Sequence, residues 1–313
     1  MKSQPLTLGA VLAGAALLSS CAAFSASDTE GVQAAAAFYP LEYAAARVGG
    51  DHVTVDNLTQ PGQEPHDLEL SIRQTAVVAA ADLVVLEEGF QPAVDAAAEV
   101  NADGTVLDVS GAADLLPFDA HDHEGGHEEG PEEAHQEGHD HGSTDPHFWL
   151  DPLRLADVGD AIADALSEVD PGSEATYDAN AASLRRDLEA LDRDFAAGLE
   201  SCDRDTVVVS HDAFGYLRKY GLHLEPITGL TPGAEPTPAD VQRLQELITE
   251  EGITTVFSET LASNAASVSL AHDLGIVTAV LDPLEGLASK DDDDDYLTIM
   301  RANLAALQKA NGC

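Results

Sequence analysis

The chain has 313 residues, 44% of them hydrophobic, enough to bury a sizeable core and to divide into two domains of ordinary size. Fifty-seven Asp and Glu face 14 Lys and Arg, giving a formal net charge of −43 at pH 7. A surface this acidic repels phosphate backbones and argues against nucleic acid as a partner.

Lys2 followed by the apolar run Leu6 to Leu18 reads as the n-region and h-region of a secretory leader over 1–20, too short to span a membrane. Leu18-Ser19-Ser20-Cys21 then looks like a bacterial lipobox, in which Cys21 is acylated and anchors the mature protein to a membrane. The alternative is an ordinary leader with an incidental Cys. Residues 21–34 are small and polar and read as a tether. From there a first lobe is expected over 35–170. Its strands fall at 34–39, 53–58, 83–86 and 105–109, and its helices at 41–48, 71–80 and 91–100. This alternation predicts a parallel sheet covered by helices.

Residues 119–145 break the pattern. They hold His121, His123, His127, His135, His139 and His141 among acidic residues and glycines, and cannot bury enough apolar surface to fold alone. Pro152 opens a helix to about residue 168, and a longer one follows from 173 to 199, with Leu184, Leu188, Leu191 and Phe195 at helical spacing. About 27 residues of helix span roughly 40 Å, enough to join two lobes, so 171–201 is assigned as the connector. A second lobe over 202–313 repeats the α/β alternation. Its strands fall at 206–210, 222–227, 253–257 and 276–281, and its helices at 213–220, 239–250, 264–274 and 296–310. With Cys21 set aside, Cys202 and Cys313 form an even pair that can close a disulfide in an oxidising compartment, two free thiols being the alternative.

In open α/β sheets ligands bind beyond the carboxyl ends of the strands. His66 lies in the loop after the strand at 53–58, His211 caps Val207-Val208-Val209-Ser210, Glu259 follows Val256-Phe257, and Asp282 follows the strand at 276–281. His147, between Pro146 and Pro152 and beside the single Trp149, can reach the same cleft. Two His from the first lobe, with one His and a carboxylate from the second, make the nitrogen-rich set that zinc favours. His52, His223 and His272 lack such a context.

The segments Gly62-Gln63-Glu64-Pro65-His66-Asp67, Asp145-Pro146-His147-Phe148-Trp149-Leu150-Asp151-Pro152, Ser210-His211-Asp212-Ala213-Phe214-Gly215-Tyr216 and Leu281-Asp282-Pro283-Leu284 recur in order. They resemble the motifs of the zinc and manganese solute-binding proteins of ABC importers. That resemblance implies two α/β lobes joined by a long rigid helix, with the metal in the cleft. It implies His66, His147 and His211 as ligands to Zn2+, carried as cargo, and Asp282 at the carboxylate position that completes or guards the site. Glu64 or a water is the other candidate for the fourth place, and Glu259 is expected to orient a His through its second ring nitrogen. The resemblance further implies a monomer on the outer face of the cytoplasmic membrane, delivering zinc to a permease with its ATPase and catalysing nothing. The six His of 119–145 are expected to bind zinc weakly.

Three rival readings compete with this one. A manganese or iron carrier on the same fold would often have Glu where His211 stands. A zinc hydrolase using Glu259 or Glu64 as general base would be expected to show a compact signature such as His-Glu-x-x-His, which is absent from this sequence. A surface adhesin leaves the His constellation without a role.

Overall fold

A computed structural model describes residues 31–118, 144–230, 232–289 and 294–313. The expected leader, Cys21, most of the tether and the six His of the His-rich segment lie outside the described residues.

Residues from Gly31 onward form one compact unit built on two four-stranded sheets. The first half runs β1 (Val32–Ala36), α1 (Tyr39–Gly49), β2 (Val53–Asn57), α2 (Ile72–Ala80), β3 (Leu83–Leu86), α3 (Pro92–Asn101), β4 (Thr105–Asp108) and the short α4 (Ser110–Ala113). Its sheet has the order β2-β1-β3-β4, all parallel, with Ala34 opposite Val55 on one side and Leu83 on the other. β1 ends three residues short of the expected strand because Pro40, in the first turn of α1, fixes a helical φ and starts the helix at Tyr39. The start of α2 is set by a capping box in which Ser71 and Gln74 satisfy each other's backbone N–H.

Two helices follow, α5 (Pro152–Val169) and α6 (Glu174–Leu199). Along α6, Tyr177, Ala181, Leu184, Leu188, Leu191, Phe195 and Leu199 form one buried stripe at three- and four-residue spacing. Near its start Asn180 Nδ2 donates to the Val48 carbonyl of α1, 2.9 Å away. At its far end the Gly198 carbonyl accepts from Gln308 Nε2 at 3.1 Å. The one helix therefore packs on both halves of the molecule, over a length of about 39 Å at the usual rise.

The second half comprises β5 (Thr206–Val209), β6 (His223–Pro226), α7 (Pro238–Glu251), β7 (Thr255–Ser258), α8 (Ala265–Leu274), β8 (Val277–Val280) and α9 (Tyr296–Asn311), with sheet order β6-β5-β7-β8, again parallel. Val207 and Val209 face the large core that continues from the first half, whereas Val208 faces a separate core with Leu244, Ile248 and Leu270. That is the two-residue alternation of a strand buried on both faces. Residues 215–220 form a 3-10 turn instead of the expected α-helix; Phe214, Leu217 and Tyr220 recur every third residue, matching three residues per turn. Asp295 caps α9 by accepting from the Thr298 backbone N–H at 2.9 Å. Cys202 and Cys313 are joined by a disulfide with their Cα atoms 4.0 Å apart, fastening the segment after α9 to the one between α6 and β5.

Candidate metal centre

The loops that leave the carboxyl ends of the strands carry the chemistry, and residues from both halves converge there. After β2, Glu64 turns the loop back on itself: its Oε1 accepts from the His66 backbone N–H at 3.1 Å and its Oε2 from that of Asp67 at 3.3 Å. His147 precedes a 3-10 turn at Phe148–Leu150, against a wall formed by Trp149, Phe90 and Phe38, all buried. His211 stands two residues past the end of β5.

His66, His147, His211 and Glu285 each bring one donor atom into a group whose members all lie within 4.8 Å of one another, and all four residues are buried. Among the described residues no other three His, Cys, Asp or Glu converge in this way. Glu285 Oε1 is 3.3 Å from His66 Nε2 and 3.2 Å from His211 Nε2. His147 Nε2 approaches the same oxygen at 3.2 Å, close enough for an ion pair but not aligned as a hydrogen bond.

The outer ring nitrogens have their own partners. His147 Nδ1 lies 2.8 Å from Asp145 Oδ1, which also accepts from the His147 backbone N–H at 3.0 Å. His211 Nδ1 lies 2.5 Å from Glu259 Oε1, which Ser210 Oγ also approaches. Carboxylates on Nδ1 leave both Nε2 atoms to face the centre. Asp145 is itself held from the second half, its backbone carbonyl accepting from Tyr216 Oη at 2.8 Å. Gly215 is required there, since a Cβ at this position would fall 2.4 Å from Asp145 Oδ2.

The electrostatics of the cluster follow from this contact set. Burial pushes the His147 imidazole down, but Asp145 and Glu285 outweigh it and raise its pKa to about 9. Burial likewise opposes charge on His211, and Glu259 and Glu285 raise it to about 10. For Glu285 burial pushes upward, and His147, His211 and His66 more than reverse it, holding the carboxyl well below its ordinary range. The raised pKa values of His147 and His211 and the lowered one of Glu285 thus favour a buried carboxylate beside these two charged imidazoles.

Of the residues singled out from sequence, His66, His147 and His211 are brought together, and Glu259 sits behind His211. Asp282, expected at the carboxylate position, is not in the group. Its Oδ1 accepts from the Leu284 backbone N–H at 2.8 Å, its Oδ2 binds Thr260 Oγ1, and the carboxylate is thereby committed to shaping its own loop. Glu64 is likewise committed to the backbone of the His66 loop. Sequence reasoning missed Glu285 because it stopped at the first carboxylate after β8. The signal lay in Pro283 and Gly286, which bracket a turn with Glu285 near its tip. Leu284, with φ 57°, takes the left-handed conformation that costs a bulky residue about 1–3 kcal/mol. Asp145 was passed over as merely the start of a motif. His52, His223 and His272 are exposed.

Residues 35–310 match the family described as zinc-uptake complex component A, periplasmic. Over 284 residues the chain is 34% identical to the zinc-binding lipoprotein AdcA of Streptococcus pneumoniae serotype 4, a stretch covering 87% of this chain and 54% of that protein. The chain thus spans about half the length of the streptococcal relatives it matches. It is 32% identical over 277 residues to the high-affinity zinc uptake system protein ZnuA of Bacillus subtilis, covering 87% of this chain and 85% of that one. The crystal structure of the Zn(II)-bound ZnuA-like domain of Streptococcus pneumoniae AdcA superimposes with a TM-score of 0.73 at 30% identity, over 90% of this chain and 100% of that chain. Because the match runs from within the first strand to the last turn of α9, the chain belongs to the family of the periplasmic component A of zinc-uptake complexes.

Proposed function

We propose that this protein captures one Zn(II) in the cleft between its two lobes, through Nε2 of His66, His147 and His211 and a carboxylate oxygen of Glu285, and delivers it to the permease of an ABC-type importer. The observation that carries the reading is the spacing around Glu285 Oε1, with the three Nε2 atoms at 3.2 to 3.3 Å. Ligands about 2.0–2.1 Å from a tetrahedral zinc stand about 3.3 Å apart. Three imidazoles and one carboxylate suit a borderline ion, whereas manganese favours more oxygens in an octahedron. The names of the relatives, a zinc-binding lipoprotein and a high-affinity zinc uptake system protein, support the same cargo.

On this reading the chain is a carrier and catalyses no reaction. Residues 1–20 direct export, Cys21 is lipidated on the outer face of the cytoplasmic membrane, and 21–34 form the tether. The two lobes span 35–170 and 202–313, with 171–201 between them. His121, His123, His127, His135, His139 and His141 gather zinc weakly beside the main site. A competitive metal titration of the full chain tests the proposal. One tight zinc per chain is expected, surviving deletion of 119–143 and losing its preference over manganese in His211→Glu. Equal or tighter binding of manganese by the parent would overturn it in favour of a manganese carrier.

A further inference from the structure

Glu285 is held by an unusual loop. Its neighbour Leu284 is fully buried with φ 57°, a backbone conformation that L side chains rarely adopt, so the surroundings must impose it. At the root of the loop, Asn303 of α9 donates from Nδ2 to the Asp282 carbonyl at 2.7 Å and accepts from the Asp282 N–H at 2.9 Å. Asp282 Oδ1 then accepts from the N–H of Leu284 itself. On either side of Glu285 the loop is tied across the cleft. The Pro283 carbonyl accepts from the Trp149 indole N–H at 2.7 Å, and the Leu287 carbonyl accepts from the Gly62 N–H at 2.7 Å. Those two donors belong to the segments that carry His147 and His66. Trp149 is itself anchored, since its carbonyl accepts from Tyr296 Oη at 2.6 Å.

We infer that Asp282 and Trp149 are positioning residues of the metal site: neither touches the ion, and together they hold Leu284 in its left-handed conformation so that the Glu285 carboxylate faces the three imidazoles. The inference rests on the reading of Glu285 as a ligand. It gives Asp282 a role through the hydrogen bond from the Leu284 N–H, which a neutral amide can also accept through its Oδ1 while its Nδ2 donates to Thr260 Oγ1. A ligand role would instead need the negative charge. Loss of either hold frees the loop to relax toward an ordinary backbone, and the carboxylate then leaves the metal.

The test uses the full chain loaded with cobalt(II) as a spectroscopic substitute, and zinc dissociation into excess chelator. Asp282→Ala and Trp149→Phe are expected to speed zinc release about 10- to 100-fold, the usual cost of losing an outer-shell partner, and to shift the cobalt d–d bands toward those of Glu285→Ala. Asp282→Asn is expected to restore both the parent spectrum and the parent rate. Parent-like spectra and rates in Asp282→Ala, with Glu285→Ala altered, overturn the inference while leaving the ligand reading intact. Failure of Asp282→Asn to rescue Asp282→Ala overturns it as well, by showing that the charge itself matters. A parent-like spectrum and rate in Glu285→Ala instead sink the ligand reading on which the inference stands.

Discussion

Zinc binding near neutral pH should expel about two protons per ion. In the metal-free site the His147 pKa is raised to about 9 and that of His211 to about 10. At pH 7.5 an imidazole with a pKa of about 9 is about 97% protonated, and one of about 10 more than 99%. Both Nε2 atoms must lose their protons before they can coordinate a metal. A site of three ordinary imidazoles with pKa about 6.5 would release only about 0.3 protons in total at this pH. Two protons also make the affinity fall about 100-fold for each unit that pH drops between about 8.5 and 6.5, close to 2.7 kcal/mol per unit. Calorimetric titration of zinc in buffers of different ionisation enthalpy measures the released protons directly, and competition with a chelator of known pH dependence gives the slope. Release of fewer than about 0.5 protons at pH 7.5 would refute the protonated empty site and the carboxylate pairing that raises both pKa values.

Four further outcomes follow. The two raised imidazoles contribute to the stability of the metal-free fold below their unfolded pKa near 6.5, and that contribution is lost as pH rises through about 9 and then about 10. The melting temperature of the metal-free protein should therefore fall between pH 7 and 10, while that of the zinc-loaded protein should not; scanning calorimetry with and without chelator tells them apart. Gly215→Ala would set a methyl group 2.4 Å from Asp145 Oδ2 and displace the carboxylate that orients His147, weakening zinc binding about 10- to 100-fold at unchanged helix content by circular dichroism. The paired change Cys202→Ser and Cys313→Ser opens a loop with a sequence separation of 111 and should cost about 2–4 kcal/mol in denaturant unfolding. With a formal net charge of −43, the fold is strained by its own repulsion, and raising salt from about 0.1 to 1 M, which shortens the screening length from about 10 to 3 Å, should raise the melting temperature.

Much of this architecture was legible because local signals and tertiary demands agree. The apolar runs at 83–86 and 206–210 read as strands, and the structure forms β3 and β5 there, buried throughout. The stripe from Leu184 to Phe195 read as one long helix, and the structure packs it against both halves. Boundaries failed where one residue overrode a pattern, as Pro40 did at the end of β1 and the three-residue spacing of Phe214, Leu217 and Tyr220 did after His211. Within the site, the three His were legible because each lies in a loop after a strand or ahead of a helical turn, inside a recognisable motif. Glu285 was not, because its place depends on Leu284 adopting a left-handed backbone. Trp149 and Asn303 hold the loop through hydrogen bonds that span 134 and 21 residues of sequence, so Pro283 and Gly286 marked a turn without showing where Glu285 would point.

On the proposed reading, the same geometry lets a carrier bury so polar a site and still empty it. A carboxylate removed from water is tolerated only when it is paired, and Glu285 is paired in both states on the proposed reading, with protonated imidazoles before loading and with zinc after. Exchange of two protons for one divalent ion leaves the total charge of the cleft unchanged, so loading does not add a new buried charge that the fold must neutralise. Release then does not require the lobes to strip an ion from a rigid cage at the full cost of an exposed anion. It requires protons to return to His147 and His211 as the metal leaves, and both imidazoles, with pKa values raised to about 9 and about 10, take protons up near pH 7. On that reading the carboxylates of Asp145 and Glu259, which lie against Nδ1 of the two rings, both orient the rings for zinc and stabilise the empty site enough to let the zinc go.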